Sequence, residues 1–193
     1  MLYVWRHPKA IGAGGRCIGR TDLAVDPRRA KRLAHGIRRH ARRHALAHEV
    51  WTSPLRRGAD VGRWLARWGW HHRIDAALAE IDFGVWDGLT WDEIGESAVT
   101  AWCADFARYC GHGGESVSML FDRCAGWIAD ASGPSVCCVV GHAGWINAAR
   151  LMLEGRGVPS SPNAWPPPLA HARKLELRRG SIPSDYPASG GGP

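Results

Sequence analysis

The sequence predicts a three-layer α/β/α sandwich built on a mostly parallel central sheet. Short apolar runs alternate with amphipathic helical stretches along the chain. One run, Val136-Cys137-Cys138-Val139-Val140, is apolar at every position, as a strand covered on both faces requires. No internal repeat or linker interrupts the alternation, and 193 residues suffice for one sizeable core.

Residues 1–5 (MLYVW) read as a buried first strand and the Gly-rich stretch 8–25 as a loop. Asp26-Pro27 opens a helix, with Asp as N-cap and Pro at the first helical position. Ala30, Leu33, Ala34, Ile37 and Ala41 share one face, and Arg28, Arg32, Arg39, Arg42 and Arg43 lie opposite, to an end near Ala47. Residues 49–52 form a second strand. Ser53-Pro54 repeats the cap-then-proline signal for a second helix, with Val61, Leu65 and Trp68 on its buried side. A short third strand is expected over 73–79, an ordered loop with a helical turn over 80–95, and helices over 98–110 and 115–131. The apolar strand at 135–140 is followed by a helix at 143–154, a Pro-rich stretch and a last strand near 172–178. A single domain is expected over 1–180. The Pro-, Ser- and Gly-rich tail at 181–193 is expected to be disordered.

Composition narrows the function classes. Net charge is +7 and the pI is about 9.5, which admits a nucleic acid, a small anion or an Arg-rich solvated surface. The charges show no interleaved aromatics and no nucleic-acid reading motif, which argues against nucleic acid. The six cysteines (17, 103, 110, 124, 137 and 138) include no CxxC spacing, so the usual zinc and redox signatures are absent. The first apolar run is too short for a signal peptide, and no stretch is long enough to span a membrane. A cytoplasmic protein follows. Eleven tryptophans are many for the length, and some are candidates to line a pocket.

In open α/β sheets ligands sit beyond the carboxyl ends of strands. Three such ends carry candidate groups: Arg6-His7, the segment Ser53-Pro54-Leu55-Arg56-Arg57, and Gly141-His142-Ala143-Gly144, which leads into a helix N-terminus. Arginines give planar bidentate contacts to phosphate, and a helix N-terminus adds free N–H groups. Together they describe a cationic cup in which one histidine attacks phosphorus. Glu80, Asp82 and Asp87 compete on chemistry alone for a general-acid role.

On these residues the chain resembles the histidine phosphatase superfamily, the phosphoglycerate mutase-like family, over roughly residues 2–152. Arg6-His7 matches its Arg-His-Gly motif. Ser53 to Arg57 is similar to its Ser-x-Leu-x-Arg segment, which places the phosphate-binding arginine at Arg57. Residues 80–88 resemble the segment with the proton donor and a Phe-Gly-x-Trp-x-Gly signature, which selects Glu80. Gly113-Gly114-Glu115-Ser116 resembles a Gly-Glu-Ser helix start, and Gly141 to Gly144 the second histidine motif. The resemblance implies a phosphoglycerate mutase-like fold and a metal-independent phosphomonoesterase without cofactor. His7, Glu80 and His142 would be catalytic, and Arg6, Arg57 and the Ala143 amide would bind phosphate. The loop from His7 to Val25 resembles the α-ribazole phosphatase branch, which favours α-ribazole 5′-phosphate as substrate, with Cys17, Gly19 and Arg20 as pocket candidates. Three departures stand out: Pro8 replaces the usual Gly, Lys9 stands where many members carry an acid, and the Asn that often follows several positions on is missing. The short 89–112 segment favours a phosphatase over a mutase.

Several alternatives stay open. Arg20 and Asp22 either pair to orient the loop or touch substrate. Cys17 either lines the pocket or is a plain loop residue. Trp86 and Trp91 either stack on substrate or pack in the core. The stripe His35, His40, His44 and His48 and the basic face at 28–43 read as solvated, and His71-His72 lack the partners of a metal site. The competing functions are a broad sugar or nucleotide phosphatase, a mutase, a non-catalytic phosphate-binding module, and a nucleic-acid binder through the basic helix. The expected partner is a small-molecule phosphate ester, with no nucleic acid or membrane and with a homodimer left open.

Overall fold

The computed structural model describes residues 1–130 and 138–178. Strands β1 (Leu2–Arg6), β2 (Glu49–Thr52), β3 (His71–Ile74), β4 (Cys138–Gly141) and β5 (Lys174–Leu177) form one sheet in the order β3-β2-β4-β1-β5. The first four run parallel, and β5 is antiparallel to β1. The helices are α1 (Pro27–Arg43), α2 (Arg56–Ala66), α3 (Trp91–Ile94), α4 (Glu96–Ala104), α5 (Val117–Asp130) and α6 (Ala143–Leu153).

Alternation along the strands sorts the core into two sides. Leu2, Val4 and Val139 pack with Leu120, Phe121, Trp145 and Ile146 of α5 and α6. Trp5, Val50, Cys138 and Val140 pack with Leu33, Ile37, Val61 and Leu65 of α1 and α2. The predicted three-layer α/β architecture with a mostly parallel sheet is therefore observed. Among the described residues, no helix is long and apolar enough to cross a membrane.

Local boundaries differ from expectation for identifiable reasons. Helix α1 stops at Arg43, short of Ala47, because Ala45 turns left-handed (φ 49°) and the Leu46 amide folds back to the Ala41 carbonyl at 3.0 Å. Helix α2 starts at Arg56, and Ser53 does not cap it. Instead Asp22 reaches in from the first loop and accepts the Arg56 amide at 2.6 Å. The third strand lies at His71–Ile74, and Asp75 then caps a single 3₁₀ turn over Ala76–Leu78. The expected 98–110 helix is shorter. Thr90 and Glu93 form a capping box that starts α3, and Gly95 (φ 85°) separates it from α4. Ser116 caps α5 by accepting the Met119 amide at 3.2 Å. Residues 135–137 of the expected fourth strand and the tail at 181–193 lie outside the described residues.

Candidate active site

Three neighbouring parallel strands deliver the site. The register Arg6↔Gly141 between β1 and β4 puts His7 and His142 at the same sheet edge, and the His7 amide donates to the Gly141 carbonyl at 3.0 Å. The two imidazole centroids are 5.0 Å apart. Strand β2 pairs with the other side of β4 and supplies Ser53, then Arg57 in the first turn of α2.

Hydrogen bonds fix both tautomers. His7 Nδ1 lies 2.6 Å from the Pro8 carbonyl, which can only accept, so Nδ1 carries the proton and Nε2 keeps its lone pair. His7 is 6% exposed. Burial, and then Arg57, push its pKa down to about 3, so the ring is neutral at physiological pH. His142 is fully buried. Arg57 Nε donates to its Nδ1 at 3.1 Å, so its Nε2 donates to Ser53 Oγ at 2.7 Å. Burial, then His7 and Arg57, hold His142 well below the ordinary histidine pKa. Both of its nitrogens are engaged by protein, and the ring does not line the cavity. His142 therefore meets the site through its bond to Arg57.

Arg57 is 1% exposed. Beyond its bond to His142, it donates to the carbonyls of Thr21 at 2.7 Å and Gly19 at 2.5 Å. Each terminal nitrogen retains one further N–H. The loop that holds it is shaped by Asp87, whose carboxylate accepts the amides of Gly19 and Thr21 at 3.1 Å, the Arg20 amide and the Thr21 hydroxyl. Asp87 is thereby committed to the loop. Arg6 donates from one terminal nitrogen to the Leu169 carbonyl at 2.8 Å, while its buried Nε has no partner. A buried donor without an acceptor costs about 1–3 kcal/mol, which an anion would relieve.

Glu80 is 7% exposed, and both carboxylate oxygens accept the Gly144 amide, at 3.0 and 3.1 Å. It therefore occupies the N-terminus of α6, beside Ala143. Any side chain at position 144 would run into Glu80 Oε1. Arg123 clamps the preceding loop by donating to the carbonyls of Ala77 and Ala79 and to the Glu115 carboxylate. Glu115 in turn accepts the Asp82 amide at 3.0 Å. Asp82 is spent on the Gly84 amide at 2.8 Å, which leaves Glu80 as the carboxylate at the cavity.

That cavity has a volume of about 410 Å³. Its floor is Arg6, His7, Arg57, Glu80 and Ala143, and its wall is Phe83, Trp91, Trp102, Phe106 and Trp165. Trp91 and Trp102 stack at 6.4 Å, and Phe106 bridges Trp102 to Trp165. Trp86 packs in the core instead, at 6% exposed. Of the three pocket candidates only Cys17 lines the cavity. Burial pushes its thiol up to about 12, so it is a neutral wall group. Gly19 is corrected to a support for Arg57, because any Cβ there would strike the Ile81 carbonyl. Arg20 is corrected to an ion pair with Glu115 at 3.6 Å; among the described residues it forms no ion pair with Asp22, and it does not line the cavity.

Sequence reasoning missed His171. Its Nδ1 lies 3.1 Å from the His7 carbonyl, and its ring centroid is 5.4 Å from that of His7. Ala172 (φ 58°) and the bond from its amide to the Arg6 carbonyl hold it there. No local signal marks it, since the contact spans 164 positions. Among the described residues, no three His, Cys, Asp or Glu side chains gather as a metal-ligand set.

The geometry has parallels among solved structures. A mycobacterial glucosyl-3-phosphoglycerate phosphatase superposes with TM-score 0.67 at 27% identity, covering 81% of this chain and 80% of that one. A structure described as mycobacterial hydrolase 2 matches with TM-score 0.68 at 28% identity, covering 81% and 73%. The α-ribazole phosphatase of Shigella flexneri shares the fold, with TM-score 0.67 at 22% identity over 81% of each chain. No curated protein sequence matches the chain. The family model for branch 1 of the histidine phosphatase superfamily matches residues 2–182, and the chain belongs to that superfamily.

Proposed function

We propose that the protein is a metal-independent phosphomonoesterase that works through a phosphohistidine on His7. One observation supports this above all: a neutral, buried His7 whose Nδ1–H is tied to the Pro8 carbonyl, beside Arg6, Arg57 and Glu80 in one cavity. His7 Nε2 bonds to phosphorus as the ester P–O bond breaks. Arg6 and the free N–H groups of Arg57 stabilise the spreading negative charge, with the Ala143 amide as a further donor. Glu80 gives a proton to the leaving oxygen. It then recovers one from the water that attacks phosphohistidine, releasing inorganic phosphate. His142 serves by fixing Arg57. The short segment over α3 and α4 leaves room for that water, which favours hydrolysis over phosphoryl transfer within a mutase.

The favoured substrate is α-ribazole 5′-phosphate, placing the enzyme in cobalamin biosynthesis. The aromatic wall supports this, because it suits an alcohol carrying a flat apolar ring. A broad sugar-phosphate phosphatase is the second reading. Lys9 and Arg16 at the same cavity favour it, as they suit a carboxylate such as that of a phosphoglycerate ester. A cytoplasmic setting accords with the free thiols of Cys17, Cys103, Cys110, Cys124 and Cys138.

The test is phosphate release in EDTA from α-ribazole 5′-phosphate, 3-phosphoglycerate and p-nitrophenyl phosphate. A preference for the ribotide, lost in His7→Ala, supports the full reading. Equal rates on all three keep the chemistry and remove the cobalamin assignment. Full activity in His7→Ala contradicts the mechanism.

A further inference from the structure

A second groove, larger than the catalytic cavity at about 780 Å³, runs between one flank of α1 and the segment 171–174 that leads into β5. Among the described residues its lining carries Lys9, Arg29, Arg32, Arg39, Arg43 and Arg173, and no carboxylate. Among the described residues none of these six lies within 4.0 Å of an acidic group. Lys174, at one end, is neutralised by Glu176. The other flank of α1 behaves differently. Lys31 sits over Trp64 and Arg38 over Trp68, each cation placed on a ring face. Among the described residues no ring face supports the groove arginines. So many like charges in one trough repel one another.

The floor of the trough adds an independent observation. Gly36 sits in the middle of α1, between Arg32 and Arg39, and lines the groove. A glycine inside a helix costs about 1 kcal/mol relative to alanine. Packing gives no reason for it, since a Cβ there would meet nothing within 4 Å.

We propose that this groove is a second anion site, which holds a linear phosphate chain of the inorganic polyphosphate type along α1. From Arg29 to Arg43 the helix rises by about 21 Å, at about 1.5 Å per residue, more than a single phosphate group spans. The cations recur at positions 29, 32, 39 and 43, on one helix face. Nucleic acid fits less well. Among the described residues the only indole of the lining, Trp5, is 4% exposed and offers no platform for a base. Lys9 and His171 also line the catalytic cavity, so the two sites adjoin.

The test is calorimetric titration of the full chain with long-chain linear polyphosphate at 50 and 200 mM salt. A matched single-stranded oligonucleotide is the second arm. The expected result is polyphosphate binding that weakens roughly a hundredfold between the two salt levels, as release of counterions from several phosphates requires. Arg32→Glu/Arg39→Glu should bind at least tenfold more weakly with an unchanged melting midpoint. The milder pair Arg29→Gln/Arg43→Gln should weaken binding by a smaller factor. No polyphosphate binding at 50 mM salt, equal binding by the folded double variants, or tighter binding of the oligonucleotide would each overturn the proposal.

Discussion

The floor of the catalytic cavity and its aromatic wall are held by different forces. On the floor each catalytic side chain is held by a named polar partner: His7 by the Pro8 carbonyl, Arg57 by His142 and two loop carbonyls, Glu80 by the Gly144 amide. Such a network is preorganised, so charge can develop in the transition state without reorganisation. The wall has shape but little polar anchoring. Trp91 is 43% exposed, and Trp102 and Trp165 are half-buried and touch their neighbours mainly through ring contacts. The floor should therefore fix the chemistry and the wall the choice of ester. Changes to the floor should act on every substrate, and changes to the wall on some.

The largest effect that sharpens this contrast is expected from Glu80→Gln. It should lower kcat by about 10²–10⁴ on esters whose alcohol needs protonation. On p-nitrophenyl phosphate, whose phenolate leaves unaided, the loss should be under tenfold. Equal losses on both would assign Glu80 to architecture. Gly144→Ala should reproduce much of this pattern, since the added methyl displaces the Glu80 carboxylate. Steady-state kinetics on the two esters will check it.

A wall substitution comes next. Trp102→Ala removes the ring that joins Trp91, Phe83 and Phe106. With about 1 kcal/mol for a lost aromatic contact, kcat/KM should fall by about fivefold to tenfold for a ribotide carrying an aromatic base. It should fall less than twofold for 3-phosphoglycerate. A uniform loss on both would mean that wall and floor are not separable.

The smallest effect is on stability. His7 has a folded pKa of about 3, and His142 is also held low. The unfolded chain takes up these protons below about pH 6.5, and the folded chain does not until far lower. Stability should therefore fall as pH drops from about 6.5 toward 3. Denaturant unfolding at several pH values should give a shallower slope for His7→Asn, and an unchanged slope would contradict the buried neutral ring.

The floor was largely legible in the sequence, because its motifs sit where a strand ends and the next element begins. Arg6-His7 and Gly141-His142 follow apolar strands directly, and their parallel pairing follows from the fold class. What escaped was set by distance along the chain. Asp22 caps α2 from 34 positions away, and this frees Ser53 for His142. Asp87 organises residues 19–21 across a gap of more than sixty positions, which turned Gly19 and Arg20 from pocket candidates into supports. His171 reaches the site through a left-handed Ala172 that no propensity marks. The wall was only half legible. Tryptophan abundance announced a pocket, but Trp86 went to the core and Trp91 to the cavity, a division that packing alone decides.

The most direct measurement is rapid acid-free quenching of the enzyme during turnover in EDTA, followed by peptide mass spectrometry and phosphorus NMR. The account predicts a phosphoryl group on Nε2 of His7, absent in His7→Ala and longer-lived in Glu80→Gln. Turnover without any phosphoenzyme, or phosphate on a residue other than His7, would contradict it.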